Sequence, residues 1–176
     1  VEPVCIDHLA LIVSPSHPLA RQREVLAKDL ENWPCITAGR ISRTRQFVER
    51  KLRQAGVTLQ VVMELPGTEE VKKAVEANLG FAFVSGFSVD PVPKDLRILT
   101  LNGPELSRHM EIIYRRQKYF SPVAQRFRQY VHTYAREQLQ PAAEILPRLA
   151  AYYTTLTKEQ QALGLPGYRR LAADRA

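Results

Sequence analysis

An α/β fold built on a parallel sheet is what this sequence predicts, and two stretches carry the prediction. Residues 61–85, VVMELPGTEEVKKAVEANLGFAFVS, read as a buried strand, a turn, an amphipathic helix and a second buried strand. Upstream, a strand beginning at Pro34-Cys35-Ile36-Thr37 is followed by a helix from Ser42 to about Ala55. A strand–helix–strand crossover joins parallel neighbours, and such sheets bind ligands at the carboxyl ends of their strands. The pattern therefore points to a ligand-binding domain, without naming a ligand or a reaction.

Each element has a local reason. His8 to Ser14 is an apolar run of strand length, ended by Pro15 and Pro18. Val25 to Leu30 reads as a short helix, and Ala38-Gly39 closes the strand that starts at Pro34. In the next helix Phe47, Val48, Leu52 and Ala55 share one side with the stem of Lys51, and Gly56 stops it. Thr58 to Glu64 lead into the second unit, where Pro66-Gly67 breaks the chain and Thr68 is the expected N-cap. Glu69 and Glu70 suit the positive end of that helix, while Val71, Ala74 and Val75 make its apolar face. After Gly80 comes the strand Phe81–Val84, then an irregular stretch with Pro91 and Pro93. Leu96–Leu101 and His109–Tyr114 read as two more strands around the turn Asn102-Gly103-Pro104. Ser121-Pro122 offers an N-cap and a first-turn proline to a helix carrying Val123, Phe127, Tyr130, Val131 and Tyr134. Residues 135–176 are expected to form a helical C-terminal extension, cut into short pieces by Pro141, Pro147, Gly164, Pro166 and Gly167.

Composition narrows the class. A chain of 176 residues that is 45% hydrophobic suits one domain with an appendage and a real core. No apolar run reaches the roughly 20 residues of a membrane span, and no signal peptide opens the chain. Cys5 and Cys35 form neither CxxC nor a metal spacing; a reduced cytoplasmic protein is the plain reading, with a disulfide between them the alternative. The net charge of +7 is concentrated around residues 21–53 and 108–128. Such a surface attracts nucleic acid or small anionic metabolites, or is simply solvated; no helix-turn-helix, zinc finger or aromatic RNA-binding signature sharpens the choice.

Catalysis finds no support. The four histidines, His8, His17, His109 and His132, lie at no metal-binding spacing, and structural roles suit them, His17 as a turn residue. No GxSxG elbow, GxGxxG or Walker loop is present. Glu69 and Glu70 point about 100° apart on a helix and read as dipole-favouring charges. Gly39-Arg40-Ile41-Ser42-Arg43-Thr44-Arg45 is more telling, because it sets hydroxyls and guanidinium groups at a helix start that follows a strand. Free N–H groups there bind anions. Thr68 stands in a similar place, and the two helix starts could converge on one carboxylate, phosphate or sulfate. Equally, Ser42 and Thr68 could serve only as caps.

In order, LALIVSPSHPLA, KDLENWPCIT, SRTRQFVERKLRQAGVTLQVVMELPGTEEVKKAVEANLGFAFVS, RILTL and EIIYRRQKYFSPVAQRFRQYV span roughly residues 8–134. Together they resemble the effector-binding region of LysR-type transcriptional regulators, with a likeness to members that control carbon-fixation genes. The resemblance implies a periplasmic-binding-protein-like (type 2) effector subdomain over residues 1–134, mostly the family's second subdomain plus the returning helix of its first. It also implies a sensor of a small effector; the arginines favour an anionic one, and with no catalytic or metal-binding pattern the expectation is not an enzyme, with no cofactor and no metal. Ser42, Thr44 and Arg45 fall in the family's Gly-Ser-Gly-Thr-Arg-like stretch, with Ile41 and Arg43 where glycines are frequent. Gly67 and Thr68 match the turn before the next helix, Asn78 replaces a common glycine, and Phe81 lies near the hinge-facing end of its strand. Arg40 and Arg43 would favour an anion or face water.

Residue 1 is Val rather than Met and the first strand starts almost at the terminus, so the expectation is a chain lacking its N-terminal portion. An intact regulator would be a homo-oligomer reaching DNA only through that absent N-terminal domain, with no membrane contact. The alternative is a free-standing module that sequesters a small molecule or forms mixed oligomers with full-length regulators.

Overall fold

The computed structural model describes residues 1–139 apart from Arg23, Val92 and residues 116–118. Its strands are β1 (Glu2–Val13), β2 (Glu24–Leu26), β3 (Pro34–Ala38), β4 (Gln60–Leu65), β5 (Ala82–Ser85), β6 (Arg97–Asn102) and β7 (Ser107–Ile112). Its helices are α1 (Arg43–Gln54), α2 (Thr68–Glu76) and α3 (Pro122–Tyr134). A π-helical turn, Ala135–Leu139, continues α3, and the rest of the expected C-terminal extension lies outside the described residues.

β1 runs between β5 and β6, antiparallel to both, and β2 lies parallel along the outside of β6. β3 and β4 pair in parallel. They reach β5 through a parallel bridge, in which the Ile36 N–H donates to the Phe81 carbonyl at 2.8 Å and the Phe81 N–H to that of Pro34 at 3.0 Å. Gly80 makes this junction possible, since a Cβ there would run into the Pro34 carbonyl oxygen. The expected parallel sheet is thus present, with β1 as an antiparallel strand threaded through it.

That position explains the composition of β1. A strand covered on both faces reads as a continuous apolar run, and every residue from Leu9 to Val13 is buried. Ala10 and Ile12 pack with Ile36, Val71, Val75 and Val84 under α2. On the other face Leu11 and Val13 pack with Phe81 and Leu30, and Leu9 meets Val48 and Leu52 of α1. The two helices therefore cover opposite faces of one sheet.

The structure corrects three local expectations. β1 begins at Glu2 rather than His8, because its first half pairs with β7, from Glu2 opposite Ile112 to His8 opposite Ser107. The stretch from Val25 is a short strand on the β6 edge followed by a 3-10 turn, Ala27–Asn32, so tertiary pairing overrides the helical pattern. Gly67, not Thr68, is the N-cap of α2: its carbonyl accepts the first helical bond from the Val71 N–H at 3.2 Å, and Thr68 is already helical. Ser42 and Ser121 cap α1 and α3 as expected.

Cys5 and Cys35 are both free and buried. Burial pushes the Cys35 thiol up to about 12, with Glu49 adding to the effect. None of the residues of α3 is buried, and Val123, Phe127, Tyr130 and Tyr134 stay exposed. Among the described residues no helix is long and apolar enough to cross a membrane.

Candidate functional site

Because β1 is antiparallel to β5, with Ile12 opposite Ala82 and Leu9 opposite Ser85, residues 2–8 continue past the carboxyl end of β5. The β1–β7 ribbon thus leaves the sheet at the edge where β3, β4 and β5 end. α1 and α2 begin at the same edge, one on each face. This is where an α/β sheet of parallel strands offers a ligand site.

At the α1 start, Ser42 Oγ accepts from the Arg45 N–H at 3.4 Å, leaving its own O–H free to turn. The first turn carries no acidic residue. Arg40 is exposed, its Nε 3.5 Å from Glu64 Oε1. Arg45 is different in kind. Its Nε donates to Glu49 Oε1 at 2.6 Å and its Nη1 to the Ala38 carbonyl at 3.2 Å, and Nη1 lies 2.9 Å from Glu64 Oε1. Arg45 therefore ties α1 to the ends of β3 and β4, and its charge is spent inside the protein. Hydrogen bonds from Arg45 hold the Glu64 carboxyl below the usual carboxylate range.

α2 starts differently. A Cβ on Gly67 would meet Glu70 Oε2 at 2.6 Å, so the Glu70 carboxylate lies back over the helix end, and Thr68 beside it is exposed. The Gly39 N–H donates to the Leu65 carbonyl at 3.2 Å, linking the two loops. Among the described residues no hydrogen bond or ion pair joins Gly67–Thr68 to Ser42–Arg45. Phe81 is fully buried in the core beneath them, its ring meeting that of Phe83 edge-on at 6.0 Å.

Sequence patterns missed a polar cluster beside Thr44. Asp7, on β1, is 1% exposed and accepts from Ser85 Oγ at 2.8 Å through Oδ1. Its Oδ2 accepts from Arg108 Nε at 2.9 Å, with Arg108 Nη2 at 2.8 Å. Arg108 Nη1 then donates to Thr44 Oγ1 at 2.8 Å. Asp7 and Arg108 are register partners across the ribbon. The one local hint was Asp7 in phase with the inward-facing Leu9, Leu11 and Val13; its partner lies 101 residues away.

A concavity of about 370 Å³ opens beside the cluster, where β1 parts from β6, over Leu9, Leu11, Phe83, Leu101 and Leu106. Among its lining residues the only ionisable groups are His8 and Glu105. It lacks a fixed cation, so it suits an anion less well than the α1 start does. No cluster of metal-ligating side chains is found among the described residues.

The LysR substrate binding domain family matches residues 1–136. The chain belongs to that family. Its curated relatives include the HTH-type transcriptional activator CmpR of Synechocystis sp. (strain ATCC 27184 / PCC 6803 / Kazusa), 33% identical over 125 residues, covering 70% of this chain and 41% of CmpR. The RuBisCO operon transcriptional regulator of Allochromatium vinosum is 34% identical over 125 residues, with the same 70% and 41% coverage. The chain thus spans about two fifths of the length of these regulators. Among solved structures, the Synechocystis PCC6803 CcmR regulatory domain in complex with 2-PG superposes with a TM-score of 0.72 at 22% identity, covering 78% of this chain and 67% of that one. The effector binding domain of QuiR in complex with shikimate gives a TM-score of 0.68 at 17% identity, covering 78% and 65%. The fold is that of a periplasmic-binding-protein-like effector domain.

Proposed function

We propose that this LysR-family domain senses a small anionic metabolite at the edge where β3, β4 and β5 end, and that the α1 start is the principal contact. The observation that carries the reading is a capped helix N-terminus that carries the Ser42 and Thr44 hydroxyls, has the exposed Arg40 beside it and has no acid in its first turn. Such an end presents N–H groups and positive dipole potential to an anion. Ser42 and Thr44 supply directed hydroxyls, and Arg40 supplies an exposed positive charge. Arg45 holds the loop in shape, Gly67 and Thr68 form the neighbouring wall, and Phe81 supports the floor from within the core. That the CcmR domain is in complex with 2-PG and the QuiR domain with shikimate, both carrying acidic groups, supports the class.

In an intact regulator, effector binding would favour one arrangement of the subdomains over another. Through the homo-oligomer, that preference would reset the spacing of DNA-binding domains carried outside this chain. The direct test is a thermal-shift titration with 2-phosphoglycolate, shikimate and inorganic phosphate at matched ionic strength. A bound ligand raises the melting temperature in proportion to ln(1 + [L]/Kd). The expected result is a saturable shift with at least one of them, reduced at least threefold in apparent affinity by Ser42→Ala combined with Thr68→Ala. An unchanged shift in that double variant would overturn the site.

A further inference from the structure

We infer that Arg108 is the residue that takes the acidic group of the effector, and that Asp7 exists to aim it. The inference rests on the anion-binding reading above and adds a residue from the β1–β7 ribbon. Asp7 is a buried carboxylate on an otherwise apolar strand face, a costly placement unless its oxygens are fully used. Ser85 and Arg108 use them. The same contacts fix the guanidinium: Nε and Nη2 are turned toward Asp7, so Nη1 is directed at the first turn of α1.

Arginine has five N–H donors in a rigid fork. Asp7 and Thr44 engage its inner ones, and its outer Nη groups have no further partner among the described residues. The side chain as a whole is 26% exposed, and its Nη1 lies 2.8 Å from Thr44 Oγ1. A phosphate or carboxylate placed there would receive charge-assisted bonds from Arg108, a hydroxyl bond from Thr44 and the helix dipole of α1. Among the described residues no other arginine at this edge is both held in place and open. Arg45 is spent on Glu49 and Glu64, and Arg40 is exposed with its Nε turned to Glu64. Since Arg108 belongs to the ribbon, occupancy would also bind that ribbon to α1.

A purely structural ion pair would show the same distances, so the test reads ligand discrimination. The 176-residue chain is titrated with 2-phosphoglycolate and with glycolate, which lacks the phosphate, by calorimetry at matched ionic strength. Removing both partners together, in the Asp7→Asn/Arg108→Gln double variant, avoids stranding a buried charge; Thr44→Val leaves the pair intact. Wild type is expected to prefer 2-phosphoglycolate at least tenfold. The double variant should lose that preference, and Thr44→Val should reduce it about threefold. If wild type prefers 2-phosphoglycolate and both variants keep the preference, the Arg108 assignment is overturned while the anion site stands. If wild type binds neither compound nor phosphate, the underlying reading falls with it.

Discussion

α1 and α2 begin at the same edge of the same sheet, yet they meet solvent with opposite charge. α2 opens with Glu69 and Glu70, and Glu70 lies back over its own N-terminus. The positive end of its dipole, roughly half an elementary charge, is answered from within the helix. α1 opens with Arg43, Thr44 and Arg45 and has no acid in its first turn. Cations at that end are unfavourable, and only Arg45 is neutralised, by Glu49 on the same helix and Glu64 on β4. A helix that supplies its own carboxylate has little need of a ligand. A helix that sets cations and hydroxyls at its positive end leaves that end unanswered by any acid of its own first turn, which supports the proposed anion contact there.

The comparison presumes that both helices are held firmly, and core truncation tests this with the largest effect. Val48 and Leu52 anchor α1, and both are buried; Val71, Ala74 and Val75 anchor α2. Leu52→Ala is expected to cost about 3 kcal/mol, within the ordinary range for buried leucine. Val75→Ala, which removes less apolar volume, should cost about 2 kcal/mol. Urea unfolding measures both. If Leu52→Ala cost under about 1 kcal/mol, α1 would be loosely held and a poor platform for a site.

These anchors were legible because helical periodicity is local: Val48, Leu52, Val71, Ala74 and Val75 stand out in the sequence and are buried in the fold. The Ser42 cap was legible for the same reason. What the sequence hid depends on pairing over long distances. The first half of β1 is a strand because β7 lies against it, and Val25 is in a strand because β6 does. Asp7 and Arg108 are unremarkable until the ribbon sets them side by side. At the α2 start Thr68 was the expected cap, but the carbonyl that accepts the first helical bond belongs to Gly67.

That one-residue difference gives the next contrast. Ser42 Oγ accepts a backbone N–H, whereas the α2 N-cap makes no side-chain bond and Thr68 lies inside the helix. Ser42→Ala should therefore lower stability by about 1 kcal/mol, and Thr68→Ala should stay within about 0.5 kcal/mol of wild type. Urea midpoints at neutral pH, without ligand, decide it. Equal losses at the two positions would mean that Thr68 caps α2 in solution, and the two helix starts would be more alike than their geometry indicates.

The smallest effect concerns the Arg45 bridge that holds the α1 loop. The Glu64 carboxyl is lowered from its ordinary value of 4.5, first by hydrogen bonds from Arg45 and then by the charges of Arg45 and Arg40. A lowered carboxyl contributes stability that is present above its unfolded value, and that contribution is lost as pH falls through the folded one. In Glu64→Gln the decline in urea midpoint from pH 6 to pH 3.5 should therefore be shallower than in wild type. Glu64 is well exposed, so solvent and salt screen the pair and keep the difference modest. Glu2 and Glu31 are lowered too, Glu2 first by His132 and Glu31 first by Lys28, but they remain in both proteins and cancel in the comparison. Parallel pH profiles would show that Glu64 plays no part in fixing the loop from which Ser42 and Thr44 are presented, leaving Arg45 to Glu49 and the Ala38 carbonyl.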